Sequence, residues 1–266
     1  SPANSIARWD GSSWHPLGSG VEGGGEGAQY SSVSAIAVSG PDVYVGGHFT
    51  EAGGSPANYI ARWDGSSWHP LGSGVGGGEE YANAIAVSGS DVYVGGWFTE
   101  AGGSPASRIA RWDGSSWHAL GDGVNHGVRA IAVSGSDVYV GGDFIQAGGN
   151  PANYIARWDG SSWHPLGSGV EGEIYHPWVV AIAVSGPDVY VGGWFTEAGG
   201  SPAYFIARWD GSSWHPLGSG VGVVEEECVF AIAVSGPDVY VGGVFIEAGG
   251  SPANNIARWD GSSWHP

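Results

Sequence analysis

Short alternations of apolar and polar residues, separated by glycine-rich turns, run through the whole chain. The ten-residue phrase IARWDGSSWH occurs six times, and its first tryptophans follow one another at intervals of 46 to 54 residues. Alternation with a period of two is typical of half-buried β-strands. A repeat of roughly 40–50 residues built from such segments is typical of a propeller blade. The pattern therefore predicts an all-β repeat protein.

One repeat contains four apolar segments, which we name strands A to D in chain order. In the first complete repeat they are AIAV from Ala35, DVYVGG from Asp42, IARW from Ile60 and WHPLG from Trp68. Glycine in the SGPD and DGSS turns predicts an A–B hairpin and a C–D hairpin, because glycine tolerates positive φ. Residues 50–57, between B and C, are predicted to be a loop by composition. Strand A starts at Ala35, Ala84, Ala130, Ala181 and Ala231.

These hairpins assemble into four-stranded antiparallel sheets, and radial packing of such sheets makes a β-propeller. The chain holds five A–B hairpins and six C–D hairpins. We therefore predict a single β-propeller domain over residues 1–266 with five blades. Six blades are the alternative, which needs a further A–B hairpin. The predicted parts are a C–D hairpin at 1–20 and repeats at about 21–74, 75–123, 124–169, 170–220 and 221–266.

One C–D hairpin is surplus in a five-bladed ring. Residues 1–16 and 251–266 differ only at Ser5 and Asn255, so they compete for the place beside the last A–B hairpin. A free copy exposes two tryptophans, which is a liability for association. We expect it either to pack on its own ring or to swap into a neighbouring molecule, giving a homo-oligomer through the terminal hairpin.

Two propeller families share features with the repeat. The double glycine of VYVGG, residues 43–47, with later aromatics at Trp63 and Trp68, resembles the kelch repeat, of which galactose oxidase is an enzymatic relative. The DGSSW stretch from Asp64 resembles the Asp-box hairpin of sialidase-type propellers, with one residue fewer between Asp and Trp. Both resemblances imply a propeller, and the kelch resemblance implies a binding module.

The repeats differ in only a few places. The A–B turn reads SGPD or SGSD and the C–D turn never changes, whereas the D–A linkers vary in length and content. The residue after the double glycine and the two residues before strand C also vary. In an up-and-down blade all of these emerge opposite the A–B and C–D turns, so they predict a recognition surface. The alternative is that these loops are simply the most tolerant of insertion.

The predicted recognition surface is rich in aromatic residues, which give large contact area at low entropy cost. Carboxylates are interspersed, so the expected ligand is a protein or a glycan. The candidate ligand-binding residues are Tyr30, His48, Tyr59, Tyr81, Trp97, Arg108, His126, Arg129, Asp143, Tyr154, Tyr175, His176, Trp178, Trp194, Tyr204, Phe205 and Phe230.

Charge excludes several classes of partner. The formal net charge is −18, from 26 acidic residues against 8 basic ones. Such a chain repels nucleic acid and anionic membrane surfaces, so we predict no nucleic-acid partner. No apolar run is long enough to cross a bilayer, so no membrane insertion is predicted. The chain has no Met and begins and stops inside a repeat, which suggests a piece of a longer array.

The sequence does not predict a metal or cofactor site. A zinc site would need His48, His126 and His176 to converge. The histidine of the repeat, such as His69, occupies the same place in every blade and is interpreted as structural. No cofactor is predicted; Ca²⁺ is the one ion that the acidic linkers would suit, although they contain no Asp-x-Asp ligand loop.

The chain is also not predicted to be an enzyme. Cys228 is the only cysteine, so no intrachain disulfide forms, and the three glutamates before it disfavour a reactive thiolate. Arg62 and Asp64 lie on the same side of strand C, which predicts a local ion pair or a contact with the next blade.

We therefore expect a non-catalytic binding propeller, extracellular or on a cell surface, that recognises a protein or a glycan through its variable loops. The alternative is a structural or self-assembling repeat module. The near-identity of the repeats fits a designed protein as well as a recently amplified one.

Overall fold

The computed structural model describes residues 3–24, 31–78, 81–172, 176–222 and 227–266, and their regular elements are all β-strands. The chain divides into two compact units, Ser1–Gly123 and Val124–Pro266. Their border coincides with the predicted border between the second and third repeats. The prediction of a single domain stays a prediction.

The first unit contains one two-stranded hairpin and two four-stranded sheets. The hairpin is β1 (Ala7–Trp9) and β2 (Trp14–Pro16). Sheet 1 consists of β4 (Ser32–Ser39), β5 (Asp42–His48), β8 (Ile60–Trp63) and β9 (Trp68–Pro70). Sheet 2 consists of β11 (Ala82–Ser88), β12 (Asp91–Gly96), β15 (Ile109–Trp112) and β16 (Trp117–Ala119). Short strands are β3 (Val21–Glu22), β6 (Glu51–Ala52), β7 (Ser55–Pro56), β10 (Val75–Gly76), β13 (Glu100–Ala101) and β14 (Ser104–Pro105).

The second unit contains three four-stranded sheets. Sheet 3 consists of β17 (Val128–Ser134), β18 (Asp137–Gly142), β21 (Ile155–Trp158) and β22 (Trp163–Pro165). Sheet 4 consists of β24 (Trp178–Ser185), β25 (Asp188–Trp194), β28 (Ile206–Trp209) and β29 (Trp214–Pro216). Sheet 5 consists of β30 (Cys228–Ser235), β31 (Asp238–Val244), β34 (Ile256–Trp259) and β35 (Trp264–His265). Short strands are β19 (Gln146–Ala147), β20 (Asn150–Pro151), β23 (Val170–Glu171), β26 (Glu197–Ala198), β27 (Ser201–Pro202), β32 (Glu247–Ala248) and β33 (Ser251–Pro252).

Every sheet has the predicted A-B-C-D order with antiparallel neighbours. In sheet 1, Ser39 pairs with Asp42 at the A–B turn, and Trp63 pairs with both Val43 and Trp68 beside the C–D turn. The same registers recur in sheets 2 to 5. The prediction of an all-β propeller of four-stranded antiparallel sheets is confirmed.

In sheet 4, each residue of the double glycine lies so close to a neighbouring strand or sheet that a side chain would collide with it. A Cβ on Gly193 would collide with the carbonyl oxygen of Trp178 on strand A, where a bulge shifts the register between Val179 and Ala181. A Cβ on Gly192 would lie 2.5 Å from Val229 Cγ1 of the next sheet. The first glycine therefore allows sheets to pack closely, and the second allows the bulge.

The core lies between successive sheets within each unit. In the first unit, Ile60 and Leu71 of one repeat pack with Val92, Val94 and Phe98 of the next. The phenylalanine two residues after the double glycine is at most 1 % exposed in all five sheets. Burying such aliphatic and aromatic side chains contributes about 1.5–3 kcal/mol each.

Within each unit, a hydrogen bond also joins a repeat to the segment before it. The indole Nε1 of Trp68 donates to the carbonyl oxygen of Leu17 at 2.8 Å, and that of Trp214 donates to Leu166 at 2.7 Å. Trp117 and Trp264 make the same bond with Leu71 and Leu217. The strand-D tryptophan therefore anchors neighbouring sheets to each other, as well as filling space.

Two predicted boundaries were wrong. Strand A begins earlier than predicted, at Ser32 rather than Ala35 in sheet 1, because the bulge lets linker residues pair with the end of strand B. Strand D is shorter than WHPLG and ends at Pro70 in sheet 1. Some residues assigned to the variable linkers, including Trp178 and Cys228, therefore lie in strands.

Residues 50–57 form a small hairpin, so the prediction of a loop was wrong. Strands β6 and β7 pair across Gly53 and Gly54, which have φ of 64° and 75°. Val21, the first linker residue, pairs with Ala52 of this hairpin. The same Val–Ala pairing recurs in all five repeats. The hairpin is thus held by a partner about thirty residues away, which composition alone does not reveal.

The first hairpin, β1 and β2, is flanked by buried residues, but its two tryptophans are exposed. Ile6 and Leu17 are buried with Val21, Val45 and Phe49 of the first complete repeat. Trp9 and Trp14, in contrast, are 50 % and 69 % exposed. The expectation that the surplus hairpin exposes two tryptophans is confirmed for this copy.

Candidate functional site

The variable positions collect at one end of each sheet. In sheet 1, His48 pairs with Ser32 at the end of the A–B hairpin opposite the SGPD turn, and Gly46 pairs with Ile60 at that same end. The invariant A–B and C–D turns lie at the other end. The five sheets share this arrangement, because their registers are the same. We call the variable end the loop end and the invariant end the turn end.

The residue before strand C adopts an unusual backbone conformation. Ser5, Tyr59, Arg108, Tyr154, Phe205 and Asn255 all have φ between 63° and 67°. Left-handed backbone is uncommon for residues other than glycine. The surrounding hydrogen bonds hold it: Gly47 N donates to the Tyr59 carbonyl oxygen at 3.1 Å, and Tyr59 N donates to Phe49 O at 2.9 Å. The scaffold therefore imposes the same backbone conformation at six positions, which carry five different types of residue.

In the first unit, the loop ends of sheets 1 and 2 bring aromatic rings together. The His48 ring centroid lies 6.5 Å from that of Tyr81, and Tyr81 stacks beside Trp97 with centroids also 6.5 Å apart. The Arg108 guanidinium carbon lies 5.5 Å from the Trp97 ring centroid, a cation–π distance. We call His48, Tyr81, Trp97 and Arg108 cluster 1.

In the second unit, the loop ends of sheets 3 and 4 form a more polar group. Trp178 and Trp194 lie side by side, with ring centroids 4.6 Å apart and ring planes tilted by 42°. The Arg129 guanidinium carbon lies 5.6 Å from the Trp178 ring centroid, and Arg129 Nε donates to both carboxylate oxygens of Asp143 at 2.8 Å. His126 Nδ1 lies 4.0 Å from Asp143 Oδ2. We call Arg129, Asp143, Trp178 and Trp194 cluster 2.

Cys228 lies under cluster 2 rather than on its surface. Its side chain is buried, and burial raises the pKa of its thiol to about 11, although a hydrogen bond from Trp178 and the charge of Arg129 act in the opposite direction. The thiolate is therefore scarce at neutral pH. Sequence reasoning attributed the unreactive thiol to the preceding glutamates; the main cause is burial.

Two of the predicted surface residues are core residues. Tyr59 is 4 % exposed and Phe205 is 2 % exposed, and both belong to the buried clusters between sheets. Tyr59 packs with Phe98 and Phe205 packs with Phe245 of the following repeat, a contact between sheets that the sequence did not reveal. Assigning Tyr59 and Phe205 to an accessible recognition surface was wrong.

The other predicted residues vary in position and exposure. Tyr154 is partly buried, and burial followed by the charges of Glu171 and Asp143 raises its pKa. Tyr204 is 41 % exposed and Phe230 is 55 % exposed. His176 is exposed with φ of 63°. Tyr30 and Tyr175 lie outside the described residues.

The turn ends carry a repeated polar network that sequence reasoning partly missed. Arg62 Nη1 donates to Asp42 Oδ2 of the A–B turn at 3.1 Å, so its partner is Asp42 and not Asp64. Asp64 Oδ1 accepts hydrogen bonds from the backbone of Ser66 and Ser67 at 2.8 Å, and its Oδ2 lies 2.7 Å from His69 Nε2. The expected local pair of Arg62 with Asp64 was therefore wrong, and the repeated histidine braces the C–D turn.

No group of three metal-ligating side chains occurs among the residues that the structure describes, and His48, His126 and His176 are in no such group. The described part of the chain also contains no apolar helix of membrane-spanning length.

Comparison with known proteins agrees with the fold. Residues 91–112, which cover strands B and C of sheet 2, match the model of a domain of unknown function described as DUF5122 beta-propeller. No curated protein matches the chain. Membership of the kelch or galactose-oxidase family stays a prediction.

Several solved structures are similar to the chain. The computationally designed Ika8 protein is 18 % identical with a TM-score of 0.53; the match covers 89 % of this chain and 61 % of Ika8. The extracellular domain assigned to the hybrid two component system BT4673 from B. thetaiotaomicron is 10 % identical with a TM-score of 0.49, covering 90 % of this chain and 33 % of that one. The designed Ika4 protein is 16 % identical with a TM-score of 0.41, covering 69 % and 93 %. This chain thus spans less than two thirds of the length of the first two.

Proposed function

We propose that the chain is a non-catalytic binding propeller that recognises a protein or a glycan through the loop ends of its sheets. The main support for this proposal is cluster 2. In it, two tryptophans, an arginine and a carboxylate from sheets 3 and 4 come together. Positions that differ between repeats supply all four side chains, whereas the turn ends keep one sequence throughout.

The chemistry of cluster 2 suits recognition. Paired indole rings offer flat apolar surfaces on which a sugar ring or an aliphatic side chain can stack. The Arg129–Asp143 pair holds its guanidinium and carboxylate in a fixed orientation, and Asp143 is only 14 % exposed. Rigid aromatic anchors beside fixed polar groups are typical of binding hot spots. The same proposal assigns the chain an extracellular or cell-surface location, where glycans and exposed protein surfaces are accessible as ligands.

A non-catalytic role is supported by the state of the one unique nucleophile. The Cys228 thiol is buried with a raised pKa. The repeated histidines and aspartates brace turns in each sheet, which accounts for them without catalysis. We propose neither a cofactor nor a bound Ca²⁺ as part of this function.

The test begins with a glycan array and a panel of immobilised cationic proteins, probed with the whole chain. Trp178→Ala and Trp194→Ala are then compared on every ligand that binds. We expect each change to weaken binding at least about 30-fold, corresponding to about 2 kcal/mol. Trp14→Ala, which removes an exposed tryptophan at the turn end of the first hairpin, is the matched control. A ligand that binds both cluster 2 variants as tightly as the unaltered chain contradicts the proposal.

A second candidate function is that of a self-assembling module, favoured by the exposure of Trp9 and Trp14. It predicts oligomers of the whole chain in light scattering, whose fraction rises with concentration. Trp9→Ser combined with Trp14→Ser should return the chain to a monomer. A chain that is monomeric at all concentrations removes this candidate.

A further inference from the structure

We propose that a shallow groove beside strand D of sheet 2 binds a sugar ring of a neutral polysaccharide, and that sheets 1, 4 and 5 carry the same site. Residues that these repeats share form the sites, whereas residues that differ between repeats form clusters 1 and 2. The sites therefore go beyond the proposed function and are tested separately from it.

The groove of sheet 2 has a volume of about 330 Å³ and is formed by three segments of the first unit. They are the C–D hairpin of sheet 2, the small hairpin of β13 and β14, and the connection that follows strand D of sheet 1. The indole rings of Trp112 and Trp117 and the serines Ser73, Ser104 and Ser116 line the groove, together with residues that are all small.

The two indole rings are held in place by the protein. Both are partly exposed, and their centroids lie 5.5 Å apart. Trp117 Nε1 donates to the Leu71 carbonyl oxygen at 2.8 Å, and a Cβ added to Gly102 would lie 2.9 Å from Trp117 Cδ1. Rings that are fixed before a ligand arrives lower the entropy cost of binding. They offer an apolar surface on which the C–H face of a sugar ring can stack.

Three serine hydroxyl groups around these rings are available to a ligand. Ser115 Oγ is already occupied, because it donates to Asp113 Oδ1 at 2.8 Å. The hydroxyl groups of Ser73, Ser104 and Ser116, in contrast, make no hydrogen bond within the part of the chain that the structure describes. Each of them can donate one hydrogen bond and accept others. The groove can therefore bond to sugar hydroxyl groups beside the stacking surface.

The charge of the groove indicates a neutral ligand. None of its lining residues is charged. The net charge of −18 on the chain also repels anionic polymers. Aromatic rings and hydroxyl groups without charge are suited to a neutral saccharide.

The same groove residues recur in sheets 1, 4 and 5, where all nine lining positions carry the same residue types. The bond from the strand-D indole to the preceding leucine recurs in these three sheets. A Cβ added to Gly53, Gly199 or Gly249 would lie 3.0, 2.9 or 2.7 Å from Cδ1 of the strand-D tryptophan. The third repeat carries Asp122 and Asn150 in place of two of the serines. Four sites are therefore proposed.

Identical sites suit a ligand that is itself a repeat. A polysaccharide presents the same sugar ring many times, so one polymer can engage several sites of one chain or of several chains. Weak individual sites then give much tighter overall binding than one site alone. A ligand with a single distinctive surface would instead require different side chains in different repeats.

The experiment is native affinity electrophoresis of the whole chain. Gels contain dextran, laminarin, galactomannan, hydroxyethyl cellulose or glycol chitin, all of which are neutral, or polygalacturonate, which is anionic. We expect at least one neutral polysaccharide to retard the chain in proportion to its concentration, and polygalacturonate not to retard it.

Two sets of substitutions locate the binding. The first set removes one free hydroxyl group per groove: Ser67→Ala, Ser116→Ala, Ser213→Ala and Ser263→Ala. It should raise the apparent dissociation constant at least about threefold. The second set places a larger apolar side chain that suits a strand in each groove: Ser55→Ile, Ser104→Ile, Ser201→Ile and Ser251→Ile. It should abolish the retardation.

The matched control removes the same number of serine hydroxyl groups from the same four sheets, at the last residue of strand A. Its substitutions are Ser39→Ala, Ser88→Ala, Ser185→Ala and Ser235→Ala. The control should be retarded like the unaltered chain, and so should Trp178→Ala, which changes cluster 2. Circular dichroism checks that each variant is folded. If the isoleucine set does not fold, the alanine set at Ser116 and its equivalents decides.

Three results would overturn the proposal. One is a chain that no neutral polysaccharide retards. Another is retardation that either folded groove set leaves unchanged, because the polysaccharide would then lie elsewhere. The third is retardation that Trp178→Ala abolishes and the groove sets do not, which would assign the polysaccharide to cluster 2. Conversely, loss of retardation in the groove sets alone supports these sites whether or not cluster 2 binds a ligand.

Discussion

At the scale of single residues, the aspartate of each DGSS sequence stabilises its C–D turn. Its carboxylate accepts hydrogen bonds from the two serines and contacts the histidine of the same hairpin. Hydrogen bonds from the backbone of Ser67 and Ser66, then from the Ser66 side chain and His69, hold the pKa of the Asp64 carboxyl well below its ordinary value of 3.8. Asp113 is held low as well, with the bond to His118 as the largest cause. These bonds give the aspartate and both serines of the DGSS turn a structural role.

This geometry predicts an acid-sensitive contribution to stability. A lowered folded-state pKa stabilises the fold above the unfolded value of about 3.8, and the contribution is lost as the pH falls below that value toward the folded one. Asp64→Asn should therefore lower the thermal unfolding temperature at pH 7, with a difference from the unaltered chain that shrinks between pH 5 and about pH 2.

The control for that prediction is Asp122→Asn, which removes an exposed carboxylate outside the DGSS turns. It should change the unfolding temperature little at either pH. An Asp64→Asn deficit that is the same at pH 7 and pH 2 would mean that the charge of the carboxylate does not stabilise the turn.

Residue-level roles at the loop ends were only partly predictable. The sequence marks Trp97, Arg129, Asp143 and Trp194 as variable, because the repeats can be compared within one chain. It does not show that Arg129 pairs with Asp143, fourteen residues away. That pairing depends on a register shift in strand A of sheet 3.

At the scale of elements, the packing of one sheet on the next sets the requirement for small residues. Gly192 and Gly242 occupy the same position in sheets 4 and 5. A Cβ at Gly192 would lie 2.5 Å from Val229 of sheet 5, whereas the nearest atom to a Cβ at Gly242 is 3.8 Å away. The same motif residue is thus under different constraint in the two sheets.

Alanine at these two positions measures the constraint. Gly192→Ala should reduce the free energy of unfolding by about 1–3 kcal/mol, because the added methyl group overpacks the interface. Gly242→Ala should change it by less than about 0.5 kcal/mol or stabilise the chain slightly, since alanine restricts the unfolded state. Urea unfolding of both variants checks this. Equal losses at the two sites would show that the interface between sheets 4 and 5 does not set the cost.

The hairpins themselves were predictable from sequence because their signals are local. An Asp-Gly turn between two short apolar segments specifies a hairpin without reference to the rest of the chain. The β6–β7 hairpin escaped prediction because its apolar segments are two residues long and its partner Val21 comes from the preceding linker. Pairing between distant segments has no local signature.

At the scale of the whole molecule, negative charge is the dominant electrostatic feature. The net charge of −18 comes from 26 acidic residues and 8 arginines. Five of those arginines pair with the aspartate after the A–B turn in sheets 1 to 5. Little positive charge is left to offset the remaining carboxylates, so they repel one another in the folded state.

This repulsion predicts a salt dependence. Raising NaCl from about 10 mM to about 150 mM shortens the Debye length from about 30 Å to about 8 Å and screens exposed carboxylates from one another. The thermal unfolding temperature at pH 7 should therefore rise. Sodium and potassium chloride should act alike, since the effect is screening. A fall with added salt would show that the ion pairs outweigh the repulsion.

The sequence by itself determined the repeat, its four strands, their order and the separation of invariant turns from variable ends. These follow from periodicity and turn chemistry, which are properties of neighbouring residues. Only the tertiary structure decided that Tyr59 and Phe205 are buried, that Arg62 reaches back to Asp42, and that the Cys228 thiol is shielded. Each of these depends on which surface of another strand or sheet a side chain meets, and that surface exists only once distant segments have packed.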